Sequence, residues 1–214
     1  MTTGDGAFVR LTSTNAQSSI LWEIESPGWV KDIHWNRDIA VVCSDRECKL
    51  INTVQKSELK IIRQPLLSAR LNDSNTKFAG ITMAGKGYSY YPTGAIILDL
   101  ETGETLKLEE PFKELGHSNG RNIRWLENDN LVALTTDASC EFGSPLLSVY
   151  SASNGQVVCR FISPYSANFR WLDVYKGPHP FHGKQAPTNM LVLVDNDGHV
   201  IVLDLVNYSP PAPS

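Results

Sequence analysis

The chain has 214 residues, of which 42% are hydrophobic and 20% are charged, as is usual for soluble globular proteins. Its formal net charge of −4 argues against a nucleic-acid partner, because nucleic-acid-binding domains usually carry a basic face. No apolar run approaches the roughly 20 residues that a membrane helix needs, so we expect no membrane partner either.

The amino terminus and the cysteines predict a cytoplasmic protein. Residues 1–6 have neither the basic nor the apolar part of a secretory signal. Cys43, Cys48, Cys140 and Cys159 lie in or beside apolar strand-like runs, where a free thiol behaves as a small hydrophobic group. Cys43 and Cys48 lack the second close pair that a zinc site would supply, so we expect buried, reduced thiols.

Short apolar runs bounded by Gly, Asp, Asn and Pro recur along the chain and predict an all-β fold. We expect five units of strands. The predicted strands are residues 7–13 and 19–24; then 30–35, 39–44, 48–54 and 59–63; then 68–72, 77–84, 94–100 and 104–108; then 120–126, 130–136, 146–151 and 156–161; and finally 168–174, 189–195 and 199–205. Residues 55–64 are the best helical candidate, although their Ile61-Ile62 pair suits an edge strand equally well.

The units repeat one another at intervals of about 40–50 residues. Asn122-Ile123-Arg124-Trp125 precedes the apolar run 131–134, and Phe169-Arg170-Trp171 precedes the run 190–193. We therefore expect Trp35, Trp125 and Trp171 to occupy equivalent places at the ends of first strands, where they would pack between sheets. A repeat of this length with four strands is typical of a β-propeller blade.

Three segments carry a family resemblance. Residues 94–106 (GAIILDLETGETL) combine a strand that ends in Leu98-Asp99 with a Thr102-Gly103 turn and a returning strand. Residues 146–158 repeat the layout with Asn154-Gly155 at the turn, and residues 199–205 give its first half. These segments resemble WD-repeat and quinoprotein-like β-propellers. Together with the strand units, the resemblance predicts four to five four-stranded antiparallel blades over residues 1–206, in a closed or an incomplete ring. The Pro-rich tail at 207–214 lacks the apolar content to order itself, so we expect it to be disordered.

Three groups of residues are candidates for binding a protein partner. Tyr88, Tyr90 and Tyr91 lie between two predicted strands, and tyrosine is enriched at protein interfaces. His179, Phe181 and His182 lie in a Pro- and Gly-rich insertion, and long loops on a rigid scaffold often carry function. Arg124 and Arg170 each precede a tryptophan and are expected to line a blade face or the central channel as a cationic rim.

No pattern in the sequence predicts a catalytic or metal site. Residues 116–120 (GHSNG) match the pattern around the nucleophile of serine hydrolases, but Ser118 lacks the strand before it and the helix after it. His179 and His182 lack a third zinc ligand nearby. Residues 195–198 (DNDG) lead directly into an apolar strand, which predicts a tight hairpin rather than a calcium loop.

The function predicted from the sequence is a non-catalytic protein–protein interaction scaffold built on a WD-like propeller, with no cofactor. The alternative is a quinoprotein-like or serine-hydrolase domain that uses the propeller channel or Ser118. The amino-terminal unit has two strands and the carboxy-terminal unit has three, so the ring need not close. An open ring would expose sheet edges and allow self-association.

Overall fold

The computed structural model describes residues 7–12, 20–26, 28–86, 89–109, 120–126, 129–136, 146–162, 169–175 and 190–205. Within these residues the regular secondary structure consists of strands, as the periodicity predicts. In the same part of the chain, no helix has the length and apolarity to cross a membrane.

The described strands form five antiparallel sheets, each made from strands that follow one another along the chain. The first sheet is a hairpin of β1 (Ala7–Thr12) and β2 (Ile20–Ser26). Blade 1 contains β3 (Val30–Asn36), β4 (Ile39–Ser44), β5 (Cys48–Asn52) and β6 (Ser57–Ile62). Blade 2 contains β7 (Leu66–Leu71), β8 (Lys77–Lys86), β9 (Ser89–Asp99) and β10 (Thr105–Lys107). Blade 3 contains β11 (Gly120–Trp125), β12 (Leu131–Thr136), β13 (Leu146–Ser151) and β14 (Val157–Ile162). Blade 4 contains β15 (Phe169–Val174), β16 (Met190–Asp195) and β17 (Val200–Asp204).

Each blade buries its apolar faces against the neighbouring blades. The blade 1–blade 2 core contains Val41, Cys43, Leu50, Ala69, Leu71 and Phe78. The blade 2–blade 3 core contains Ile81, Ile97, Ile123, Trp125, Leu134 and Tyr150. The blade 3–blade 4 core contains Ala133, Leu147, Val149, Leu172, Leu191 and Leu193. The first strands β3, β7, β11 and β15 pack in succession, so they lie innermost, around a common axis. This radial arrangement is that of a β-propeller.

The two ends of the array differ in polarity. Val9, Trp22 and Ile24 of the β1–β2 hairpin pack on blade 1, and Glu23, Glu25 and Phe8 are exposed on its outward face. In blade 4 the cross-strand pairs Trp171–Val194–Val200 and Val192–Val202 share the face turned away from blade 3. We call these five apolar residues the open face. None of the apolar clusters of the described residues joins the hairpin to blade 4, so the ring is not closed.

A one-residue β-bulge near the start of every first strand aligns the four blades. The extra residue is Lys31 in β3, Leu67 in β7, Arg121 in β11 and Arg170 in β15. Trp35 and Trp125 lie four positions after their bulges, whereas Trp171 lies one position after its own. The predicted equivalence therefore holds for Trp35 and Trp125 and is wrong for Trp171, because spacing from the bulge, rather than residue type, sets the register.

Candidate functional site

The third residue after each bulge faces the central axis. These residues are His34 in blade 1, Arg70 in blade 2, Arg124 in blade 3 and Asp173 in blade 4. They line a cleft of about 380 Å³ together with Asn36, Leu71, Asp73, Trp125 and Val174. We call it the channel cleft. One position of the repeat therefore supplies a polar side chain from each of the four blades.

An ion pair beside this cleft joins blade 1 to blade 2. Nη1 of Arg70 donates to Oδ2 of Asp32, which also accepts a hydrogen bond of 2.6 Å from Oγ of Ser68. The same Arg70 nitrogen donates to the carbonyl oxygen of Ala69 at 2.7 Å. Both charged side chains are largely buried, and charge-assisted contacts of this kind fix side-chain orientation.

A second, more exposed ion pair joins blade 3 to blade 4. Nε of Arg124 lies 3.4 Å from Oδ1 of Asp173, and Nη1 of Arg124 donates to the carbonyl oxygen of Ile123 at 2.9 Å. Burial lowers the pKa of Arg124, and the positive charge of Arg70 lowers it further against the opposing effect of Asp173. Two partly buried guanidinium groups thus lie close enough to repel each other.

His34 is electrically neutral at pH 7 in this environment. Its pKa falls to about 4, first because the ring is partly buried and then because of the charges of Arg70 and Arg124. The carboxylates of Asp32 and Asp173 act in the opposite direction and have smaller effects on the ring. The electrostatic potential at His34 is therefore dominated by the two arginines.

Trp125 holds the wall of the cleft in place. Its indole Nε1 donates a hydrogen bond of 2.8 Å to the carbonyl oxygen of Arg70, which ties blade 3 to blade 2. Only 8% of Trp125 is exposed, as the predicted packing role requires. Trp35 and Trp171 are 50% and 43% exposed, so for these two the packing prediction is wrong.

The predicted cationic pair separates in the structure. Arg124 lines the channel cleft, whereas Arg170 is the bulge residue of β15 and is exposed, with its Nε 2.6 Å from Oδ1 of Asn196. A one-residue bulge changes the direction in which a side chain points, and the two arginines lie at different distances from it. The expectation that they form one rim is therefore wrong.

The predicted tyrosine segment is a strand extension rather than an open loop. Strands β8 and β9 continue past the end of β7, and their pairing ends at Lys86 and Ser89. Tyr91 lies on β9 and is 54% exposed. Tyr90 also belongs to β9, and Tyr88 lies outside the described residues.

His179, Phe181, His182 and Ser118 all lie outside the described residues. In the described part of the chain, no three His, Cys, Asp or Glu side chains are grouped to hold a metal.

The predicted hairpin at residues 195–198 is confirmed. Oδ1 of Asp195 accepts hydrogen bonds from the backbone N–H groups of Asp197 at 2.9 Å and His199 at 2.8 Å. Gly198 has a φ of +86°, which permits the tight turn between β16 and β17.

Sequence reasoning missed Asp32, His34, Arg70 and Asp173. The signal of His34, Arg70 and Asp173 is a polar residue that recurs at the third position after the bulge, whereas Asp32 lies at the first position. Residue type alone does not mark the bulge, because Lys31, Arg121 and Arg170 are basic but Leu67 is not.

No protein-family model matches the chain, and no curated protein sequence matches it significantly. Several solved structures are similar to the chain. The β-propeller domain of Cps50 (Swd1) from Myceliophteria thermophila is 11% identical, with a TM-score of 0.64 over 91% of this chain and 58% of that one. Hydrazine synthase of Kuenenia stuttgartiensis is 11% identical, with a TM-score of 0.57 over 90% and 58%. Hsv2p of Kluyveromyces lactis is 14% identical, with a TM-score of 0.56 over 89% and 53%.

These likenesses establish the β-propeller fold that the sequence resemblance implies. The identities are too low to transfer a function, because one fold supports many unrelated activities. The chain spans little more than half the length of the solved chains that it matches.

Proposed function

We propose that this β-propeller chain is a non-catalytic scaffold that binds a protein partner at the channel cleft. The observation that carries the proposal is the convergence of His34, Arg70, Arg124 and Asp173 from one position of four successive blades. Such convergent polar groups in a concave site are the usual basis of specific recognition.

The chemistry of the cleft favours binding over catalysis. The hydroxyl of Ser68 already donates to Asp32, and this aspartate is also paired with Arg70. The thiol of Cys43, behind the same wall, is buried, and its pKa is raised well above the usual value by the hydrogen bond with Cys48 and by burial. Neither group is poised as a nucleophile.

The extended β8–β9 hairpin would add contact area to the same scaffold. Tyr91 is exposed on it, and an aromatic side chain with a polar tip suits a surface that is covered only in a complex. We include Tyr88, Tyr90, His179, Phe181 and His182 in the proposal as further contacts, on the sequence argument alone.

Affinity capture from the native cell tests the proposal when matched variants are compared. We expect Arg124→Gln to lose partners that the unchanged chain retains, since Arg124 lines the cleft. Arg170→Gln removes the same charge outside the cleft and should retain them. Tyr91→Ser should weaken capture less than Arg124→Gln does. A partner list that is the same for Arg124→Gln and the unchanged chain would remove the channel cleft as the binding site.

Covalent labelling tests the enzymatic alternative directly. A fluorophosphonate probe reacts with activated serines, so the scaffold proposal expects no labelling. Labelling that disappears in Ser118→Ala would establish a serine hydrolase and overturn the non-catalytic assignment.

A further inference from the structure

We infer that the channel cleft is an oxyanion site that takes an acidic side chain, a carboxylate or a phosphate, from a partner peptide inserted along the propeller axis. The inference rests on the proposed function and adds the chemical class of the partner. It is carried by the placement of Arg70 and Arg124 on adjoining walls of one cleft of about 380 Å³.

Both arginines keep hydrogen-bond donors that no described residue accepts. Arg70 makes its contacts with Asp32, Ser68 and Ala69 through Nη1. Arg124 uses Nε and Nη1 for Asp173 and Ile123. A guanidinium group carries five N–H donors, so Nε and Nη2 of Arg70 and Nη2 of Arg124 remain for a ligand. A carboxylate or phosphate can accept two such donors at once.

Asp73 and Asp173 also line the cleft, but the field beside the two guanidinium groups favours an anion. The charge of Arg70 lowers the pKa of Arg124, and the two arginines together lower the pKa of His34 more than Asp32 and Asp173 raise it. An anion between the two guanidinium groups would relieve this repulsion. The neutral imidazole of His34 can donate an N–H to the same anion without requiring a second charge.

Each arginine of the cleft already binds a carboxylate of this chain. Asp32, behind the cleft, is held by Arg70 and by one further contact with Ser68, and it is 22% exposed. Asp173 is 47% exposed and contacts Arg124 at the longer distance of 3.4 Å. Because Asp173 is the more exposed and the less tightly held, it is the internal carboxylate that an incoming oxyanion would displace. Asp173 thus competes with the ligand.

The volume of the channel cleft limits the size of the ligand that can enter it. A cleft of about 380 Å³ lies near the lower end of ligand pockets and accommodates one or two side chains rather than a large cofactor. Trp125 and Leu71 supply apolar walls for the methylene groups of a glutamate or the backbone of an extended peptide.

Fluorescence anisotropy with defined peptides tests the inference. The probe is a fluorescein-labelled ten-residue peptide of alternating Glu and Gly, and the matched control replaces every Glu by Gln. We expect the Glu peptide to bind and the Gln peptide to bind at least about tenfold more weakly, since each lost charge-assisted contact is worth roughly a factor of ten or more. A phosphoserine–Gly peptide is the second arm and separates a phosphorylated partner from an acidic one.

Three variants locate the site. Arg124→Gln should weaken binding about tenfold, while the control Arg170→Gln should leave it within about twofold. Asp173→Asn should tighten binding several-fold, because it removes the competing carboxylate. Circular dichroism and tryptophan fluorescence confirm that each variant is folded. Since Asp173→Asn gains affinity, its expected outcome cannot be produced by unfolding.

The outcomes separate the two proposals. Equal binding of the Glu and Gln peptides with no phosphoserine binding, or weaker binding to Asp173→Asn, would overturn the oxyanion site. If the peptides fail while Arg124→Gln still loses cellular partners, the scaffold proposal stands and only the chemical class is wrong. If Arg124→Gln keeps every cellular partner but loses the Glu peptide, the oxyanion site stands and the channel cleft is not where the cellular partners bind.

Discussion

Trp35 and Trp125 show how the same residue at the same position of two blades can have different roles. Both lie four positions after the bulge, yet Trp125 is 8% exposed and Trp35 is 50% exposed. Trp125 packs against blade 2, which presents a complete four-stranded face. Trp35 lies on the face of blade 1 that meets the two-stranded β1–β2 hairpin. The neighbouring sheet therefore decides whether the indole is buried.

Truncation of these two residues should have unequal effects on stability. We expect Trp125→Ala to lower the free energy of unfolding by about 3–5 kcal/mol, through lost packing and the lost bond to Arg70. Trp35→Ala, the matched control, should cost less than about 1 kcal/mol. Urea unfolding followed by circular dichroism measures both values. Equal losses would contradict the difference in burial.

His34 should make the fold less stable in mild acid. Its pKa is about 4 in the folded chain, below the ordinary value of 6.5. Below pH 6.5 the unfolded chain therefore takes up a proton that the folded chain does not, so stability falls as the pH drops from about 6.5 to about 4. After allowance for its partial exposure we expect a loss of about 1–2 kcal/mol.

The measurement is urea unfolding at pH 7 and pH 4.5 for the unchanged chain and for His34→Gln. The difference between the two proteins isolates His34 from the other histidines and from the carboxylates. An identical pH dependence in both would refute the lowered pKa.

Cys43 and Cys48 should resist alkylation in the folded chain. They face each other across β4 and β5 with 3.9 Å between their sulfur atoms, and both are buried. Their mutual hydrogen bond and burial raise the pKa of Cys43, and the thiol form reacts poorly. Iodoacetamide at pH 8 followed by mass spectrometry should label half-buried Cys159 first and these two only after unfolding. Labelling of Cys43 before Cys159 would contradict the prediction.

The sequence predicted part of the candidate site, namely Arg124. It did not predict Arg70, Asp32 or Asp173, because a side chain's direction depends on where each first strand bulges. A bulge is set by pairing with the next strand, and no single residue type marks it in all four first strands, because three bulge residues are basic and Leu67 is not. Arg170 was wrongly grouped with Arg124 for the same reason.

At the scale of the elements, turn chemistry was the most reliable signal. Gly103 and Gly155 have φ angles of +77° and +72°, as the Thr-Gly and Asn-Gly turns require. The segment 55–64, in which helix and strand were both considered, forms strand β6 (Ser57–Ile62). The sequence predicted that one strand ends at residue 84 and the next begins at residue 94. In the structure β8 and β9 stay paired through most of the residues between them.

These two glycines offer a matched pair of substitutions. A Cβ at Gly155 would lie 2.4 Å from the carbonyl oxygen of Lys107 in blade 2, whereas a Cβ at Gly103 would meet nothing within 4 Å. Gly103→Ala should therefore cost about 1 kcal/mol, from backbone strain alone. Gly155→Ala should cost about 3 kcal/mol, because the clash adds to the strain. Thermal unfolding compares them, and equal melting temperatures would contradict the close contact between the blades.

At the scale of the whole molecule, the repeat length and the strand pattern were enough to predict the fold. Four strands per unit and the 40–50-residue spacing gave the blades in their observed order. Closure could not be predicted, because it depends on whether the terminal faces complement each other. The hairpin presents Glu23, Glu25 and Phe8 outward, blade 4 presents the open face, and no apolar cluster of the described residues joins the two surfaces.

The open face should drive self-association as the protein concentration rises. Val200 and Val202 are exposed beside Trp171, and an apolar sheet face of this kind tends to be covered by another molecule. We expect Val202→Lys to reduce the mean mass measured by static light scattering. Val54→Lys, at an exposed valine in the turn between β5 and β6, is the control and should leave the mass unchanged. Equal masses for the unchanged chain and Val202→Lys would exclude this face.

The bulges set a rule for building chimeras from these blades. If β15 replaced β11 with Trp171 superposed on Trp125, the bulges of the two strands would be three residues apart. Side chains alternate between the two surfaces of a strand, so this odd shift would move Trp171 from the open face to the face that packs on blade 2 and would carry Leu172 beyond the end of β11. A graft that aligns Arg170 with Arg121 places the buried residues of the donor strand at buried positions of the acceptor blade. Blades of this chain can therefore be exchanged with the same side chains buried only when their first strands are aligned at the bulge residues.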